Sequence, residues 1–242
     1  MKILAVDVGG SRVKILVSGE KQKRAFASGP GMTARQMVSG VRKLAQGWDY
    51  DAVSIGFPGP VLNDRPLAEP HNLGTGWLRF DFKSAFGAPV RMINDAAMQA
   101  LGAYRGGKML FLGLGTGLGA AMIVDGIVVP MELGHLPYEE GTFEEYVGSA
   151  GLKHFGKKRW RKLVTDVVER LVAALQPEDI AIGGGNVVHL DKLPKGSWAT
   201  GNAHAFIGGF RLWDASPEKT RRPRNSGKKK ATSVSRKRRK GA

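Results

Sequence analysis

Two apolar segments, each broken by a glycine-rich bend and then resumed, frame this 242-residue chain. Ile3 to Val8 reads as a buried strand, Gly9-Gly10-Ser11 turns it, and Arg12 to Val17 returns with Val13, Ile15 and Val17 on one face. In the second half Met109 to Leu114 runs into Gly115-Thr116-Gly117, and Leu118 to Val124 comes back. A strand, a bend and a strand therefore occur twice, as a weak internal repeat. Bends without a Cβ let backbone N–H groups approach an anion closely, and Ser11 and Thr116 add hydroxyls. The second bend is not a dinucleotide fingerprint, because a strand follows it instead of a helix. Each bend alone is equally a hairpin kept small for packing; two in one chain favour a clamp around phosphates.

The remaining pattern alternates strands and helices. Thr33 caps an expected helix to about Gln46, with Met37, Val38, Val41, Leu44 and Ala45 on its apolar face. Ala52 to Phe57 is a strand that breaks at Pro58-Gly59-Pro60, and 61–79 reads as loop. Val90 to Ile93 is a short strand, and Asn94-Asp95 opens a helix through about Tyr104. A helix is expected near Phe143–Phe155. The strongest helical period follows it, from Trp160 through Val164, Val167, Val168 and Leu171 to Leu175. Asp179 to Ile182 is a strand opening into Gly183-Gly184-Gly185-Asn186, and a short last helix is expected over Ala203–Leu212. The length suits one large or two small domains.

Several polar residues stand where chemistry is possible. Asp7, near the end of a buried strand, suits a magnesium-bound water beside phosphates, since Mg²⁺ takes one or two carboxylates and keeps several waters; a solvated hairpin Asp is the alternative. Asp95 is either a helix N-cap or a general base for an alcohol, which must lose its proton as the new bond to phosphorus forms. Glu132, His135 and Glu144-Glu145 form a polar cluster between apolar segments, suited to hydroxyls that both donate and accept. A structural His remains open for His135. Asn72 and the 56–60 loop are candidates for the same pocket, against a background in which Pro, Gly and Asn are common turn formers.

Charge is unevenly placed. Residues 217–242 hold 12 Lys/Arg and one acid, so they read as a disordered polycation, whereas the first 216 residues hold 25 Lys/Arg and 20 acids. Lys157, Lys158, Arg159, Arg161 and Lys162 add a basic cluster. Both suit a polyanion such as polyphosphate or nucleic acid, or are solvated surface. Cysteine is absent, which excludes disulfides, a catalytic thiol and Cys-ligated zinc. No apolar run is long enough for a signal peptide or membrane helix, so no membrane partner is expected and a cytoplasmic location is the default.

Taken in order, Asp7-Val-Gly-Gly-Ser11, Gly56-Phe-Pro-Gly-Pro60, Asn94-Asp95, Leu114-Gly-Thr-Gly-Leu-Gly119, Glu132-Leu-Gly-His135 and Gly183-Gly-Gly185 resemble the ROK family of sugar kinases, over roughly residues 1–212. Within it the chain is most similar to polyphosphate glucokinases. The resemblance implies an α/β, actin-like ATPase (ribonuclease-H-like) fold with two domains and a cleft between them. The expected bounds are 1–105 and 106–216, with 217–242 as the basic tail. It implies phosphoryl transfer from polyphosphate and/or ATP to the 6-hydroxyl of glucose, with Asp95 as base. Asn72, Asn94, Asp95, Glu132, His135 and Glu144 would hold the sugar. Gly9, Gly10, Ser11, Gly115, Thr116, Gly117 and Gly184 would hold phosphates, and Asp7 would place Mg²⁺ through water. A homodimer is expected. Many ROK members carry a Cys-rich zinc segment where this chain has Leu136 to Phe143, so zinc is not expected. The short region after Gly185 weakens the adenine pocket more than the phosphate clamp. The first strand begins at residue 3, so no helix-turn-helix domain is expected ahead of it. An ATP-only hexokinase of other sugar specificity, or a non-catalytic nucleic-acid-binding protein, are the alternatives.

Overall fold

The structure, a computed structural model, describes residues 1–201 and 203–214; the basic tail, with its expected disorder and polyanion binding, lies outside them. The first half contains β1 (Ile3–Val8), β2 (Arg12–Val17), β3 (Arg24–Ala27), α1 (Ala34–Leu44) and β4 (Ala52–Phe57). It continues with β5 (Val61–Leu62), β6 (Arg65–Pro66), α2 (Phe82–Phe86), β7 (Val90–Asn94) and α3 (Asp95–Ala103). The second half contains β8 (Lys108–Leu114), β9 (Leu118–Val124), β10 (Ile127–Met131), β11 (Pro137–Tyr138) and β12 (Gly141–Thr142). After these come α4 (Phe143–Val147), α5 (Ser149–Leu175), β13 (Asp179–Gly183), β14 (Ser197–Ala199) and α6 (Ala203–Arg211).

The weak internal repeat is a duplicated sheet. One sheet has the order β3-β2-β1-β4-β7 and the other β10-β9-β8-β13-β14. In each, three antiparallel strands joined by hairpins are extended by two parallel strands. Each glycine bend joins the central strand of its sheet to the next. The central strand β1 is buried along its whole length, which accounts for its unbroken apolar run; β2 alternates because only one face is covered.

Helices cover the sheets through apolar stripes. The α1 helix begins at Thr33 with a capping box: Thr33 Oγ1 accepts from the Gln36 N–H at 3.3 Å and Gln36 Oε1 accepts from the Thr33 N–H at 2.9 Å. Thr33→Ala is expected to cost about 1 kcal/mol, read as a lower melting temperature with unchanged far-UV circular dichroism. In α5 the periodic residues Trp160, Val164, Val167, Val168 and Leu171 are buried on the second sheet, and Trp160 Nε1 donates to Val147 O at 2.9 Å. The single helix expected over 143–155 is two: α4 ends at Gly148, whose extended backbone separates it from α5. Gly156, at φ 69°, breaks α5 internally, so the stretch before Trp160 is offset from the periodic stretch after it. The expected loop 61–79 holds the small β5–β6 hairpin. Among the described residues no helix is long and apolar enough to cross a membrane.

The last helix departs from chain order. Although α6 follows the second sheet, it packs on the first sheet and on α3. Ser54 Oγ, fully buried in β4, donates to Gly209 O and accepts from Trp213 Nε1 at 2.8 Å.

Candidate active site

Asp7 is the fifth residue of β1 and only 7% exposed. Across the hairpin it pairs with Lys14, whose Nζ lies 3.1 Å from Asp7 Oδ2. Asp7 Oδ1 has no protein partner among the described residues. The bend is pinned from outside: Gly9 N–H donates to Arg12 O at 3.0 Å, and Ser28 Oγ donates to Gly9 O at 2.6 Å. Asn72 lies directly over it, 3.1 Å from where a Cβ on Gly10 would sit, which places Asn72 and the first bend together.

Asn94 and Asp95 divide the tasks of the α3 N-terminus. Asn94, not Asp95, is the N-cap: its Oδ1 accepts from the Ala97 N–H at 3.0 Å and its Nδ2 donates to Gly59 O at 3.3 Å. The 56–60 loop thus braces Asn94. Asp95 is the first helical residue, with Oδ1 accepting from the Ala96 N–H at 2.7 Å. Burial, first, and the negative charges of Asp7 and Glu132 push the Asp95 carboxyl up to about 7, against the lowering effect of the Ala96 N–H. Its proton therefore exchanges near neutral pH, as a general base requires.

The second bend borders the same helix. Ala96 Cβ is 2.9 Å from where a Cβ on Gly119 would sit, so β9 and α3 meet one residue from Asp95. Three donors converge on Gly115 O: Ser149 N–H at 3.0 Å, Ser149 Oγ at 2.9 Å and Asn186 Nδ2 at 2.8 Å. Gly184, at φ 88°, lies against the Leu114 backbone, where a side chain would collide with it. Thr116 is exposed at the tip of the bend.

Glu144 packs against Gly117 and Gly134 and lies 3.5 Å from His135 Nε2. Its neighbour Glu145 has a local task, accepting from the Thr142 N–H at 2.8 Å to cap α4. The polar pair read from sequence is therefore split: Glu144 lies against the second bend and His135, and Glu145 caps a helix. The basic cluster on α5 is also divided: Arg161 is held by Asp191 and His189 O, while Lys157, Lys158 and Lys162 are exposed.

Lys14, Ser149 and Asn186 carry parts of this arrangement that the motifs do not reveal. Lys14 had a readable signal. A hairpin centred on Gly10-Ser11 pairs residues whose numbers sum to 21, which sets Asp7 opposite Lys14. Ser149 and Asn186 had none, since their contacts to Gly115 are long-range.

A duplicated mixed sheet with a glycine bend after each central strand is the architecture of the actin-like ATPase class, ribonuclease-H-like in each half. The chain belongs to the ROK family, whose model matches residues 3–153. It is 27% identical over 208 residues to a polyphosphate glucokinase of Mycobacterium tuberculosis (strain CDC 1551 / Oshkosh), covering 78% of this chain and 74% of that one. It is 28% identical over 144 residues to a bifunctional NanE/NanK enzyme of Brucella melitensis, covering 52% of this chain but spanning only 27% of that protein. Among solved structures, the inorganic polyphosphate/ATP-glucomannokinase of Arthrobacter sp. strain KM superposes with a TM-score of 0.70 at 21% identity, covering 86% of this chain and 96% of that one. A ROK glucokinase of Streptomyces griseus superposes with a TM-score of 0.73 at 19% identity, covering 88% of this chain and 99% of that one.

Proposed function

We propose that this ROK protein is a glucokinase that moves a phosphoryl group from polyphosphate and/or ATP to the 6-hydroxyl of glucose. The observation that carries the proposal is Asp95, a carboxylate tuned to neutral pH with one glycine bend linked to it through Asp7 and the other through Gly119. In the reaction the hydroxyl oxygen attacks the terminal phosphorus, Asp95 takes the hydroxyl proton, and the bridging oxygen leaves with the shortened donor. Gly9–Ser11 and Gly115–Gly117, with Gly184 behind the second bend, hold donor phosphates through backbone N–H groups.

Asn72, Glu132, His135 and Glu144 hold the sugar. Asn94 contributes one remaining N–H, because its Oδ1 and one Nδ2 hydrogen are committed to Ala97 and Gly59. Asp7 would hold Mg²⁺ through water by its unengaged Oδ1, with Oδ2 paired to Lys14. Mg²⁺, when bound with the donor, offsets charge on the phosphates. In this proposal residues 1–105 form the first domain and the second begins at 106, but the expected bound at 216 is corrected because α6 returns to the first sheet; the protein works as a cytoplasmic homodimer.

A coupled assay with glucose and mannose, each against ATP and polyphosphate with Mg²⁺, tests the proposal. Glucose 6-phosphate formation supports it; no sugar phosphorylation with either donor overturns it, and salt-sensitive DNA binding in that case supports the binding-protein alternative. Turnover with ATP alone removes polyphosphate. The kcat/KM profile is expected to fall on the acid side with an apparent pKa near 7, because protonated Asp95 cannot accept the hydroxyl proton. A profile flat across pH 5.5 to 8.5 contradicts the assignment of the base.

A further inference from the structure

The helix that carries Asp95 is gripped from the end of the chain. At the far end of α3, Arg211 Nη1 donates to Leu101 O at 2.8 Å, Tyr104 O at 3.0 Å and Gly102 O at 3.3 Å. These are carbonyls of the last turn and its cap, which have no partner within the helix, and a cation there also opposes the negative end of the helix dipole. Along its length α3 is in backbone contact with α6. A Cβ on Gly102 would overlap His204 O, and a Cβ on Gly208 would overlap Met98 O.

The other face of α6 is fastened to the first sheet. Gly209 lies on Ala5 and Ser54, Trp213 Nε1 bonds Ser54 Oγ, and Arg91 bonds Leu212 O and stacks on Trp213. So α6 is keyed to β1 and β4, and α3 is keyed to α6. Two helices in backbone contact leave no side-chain layer to absorb a sliding motion. Arg211 adds a polar tie at the C-terminal end of α3, whose other face packs on β8 and β9 through Ala96, Ala97, Ala100 and Ala103.

We infer that Arg211 is a positioning residue for phosphoryl transfer, holding α3 along its axis so that Asp95 meets the acceptor hydroxyl. The inference rests on the proposed function. Its mechanical half, that Arg211 fixes α3, has a readout independent of turnover. Arg211→Met is expected to lower hydrogen-exchange protection of the α3 amides while α1 and α5 stay as in the parent protein. Displacing a base by about 1 Å costs up to roughly a hundredfold, so kcat is expected to fall ten- to a hundredfold with the sugar KM within about twofold. Arg211→Lys, which keeps a cation near the same carbonyls, is expected to recover part of kcat. Thr33→Ala supplies a control that lowers stability through α1, remote from α3.

Unchanged α3 exchange in Arg211→Met overturns the inference. So does an equal loss of kcat in Thr33→Ala, which would make the effect one of stability. Lowered α3 protection with kcat unchanged also overturns it, since Asp95 would then not depend on the clamp. If the parent protein phosphorylates no sugar, the proposed function fails, and the exchange result alone decides whether Arg211 holds α3.

Discussion

Asp95→Asn is expected to lower kcat by roughly two to four orders of magnitude, the range a positioned general base supplies, while making the folded protein more stable at pH 8. The two effects share one cause. Burial and the neighbouring Asp7 and Glu132 raise the folded-state pKa of Asp95 from 3.8 to about 7. Between those values the folded chain holds a proton that the unfolded chain has released. Stability is therefore highest, for this group, below about pH 4, falls as pH rises through the window, and is level above about 7. Asn has nearly the shape of Asp and keeps an oxygen for the Ala96 N–H, but it carries no charge to bury. The stability gain is on the order of a few kcal/mol at pH 8, since one pKa unit is worth ~1.4 kcal/mol, and smaller at pH 5. Urea titrations at the two pH values, beside steady-state rates, measure both sides. A variant that is inactive but no more stable at pH 8 than the parent would show that Asp95 is not held in a costly environment.

Gly208→Ala is expected to have the largest effect on the fold. Its new methyl would sit on Met98 O, a backbone atom inside α3 that cannot rotate away. The helices must separate, which also strains the contact at Gly102 and the Ser54–Gly209 bond. Overpacking against side chains costs roughly 1–3 kcal/mol, and a clash against backbone belongs at or beyond the top of that range. The melting temperature should drop by more than about 10 °C, or the protein should fail to accumulate in soluble form. A shift under about 2 °C would mean that α3 and α6 are not in backbone contact.

Sequence carried the local part of this architecture well. The glycine bends, the cap at Thr33 and the α5 stripe are each written in neighbouring residues, and the two bends mark the duplicated sheets before any pairing is known. The Asn94-Asp95 dipeptide was legible as a helix start, but not which residue caps it. Both are good N-caps, and the choice turns on Gly59 O lying where Asn94 Nδ2 reaches it. Glu144 and Glu145 are adjacent and alike in sequence; only the helix start at Thr142 assigns Glu145 to the cap and leaves Glu144 beside Gly117 and His135. The return of α6 to the first sheet was not legible, because Ala203–Arg211 is short and glycine-containing and its partners lie about a hundred residues earlier or more. A small-residue helix face records that something approaches closely without recording what.

The most direct measurement is a crystal structure with glucose and a non-hydrolysable phosphoryl donor bound. The account predicts an Asp95 carboxylate oxygen within hydrogen-bond reach of the sugar 6-hydroxyl, about 2.6–3.2 Å, with the donor's terminal phosphates between Gly9–Ser11 and Gly115–Gly117. A bound sugar whose 6-hydroxyl faces another group, or a donor held by only one of the two bends, would contradict it.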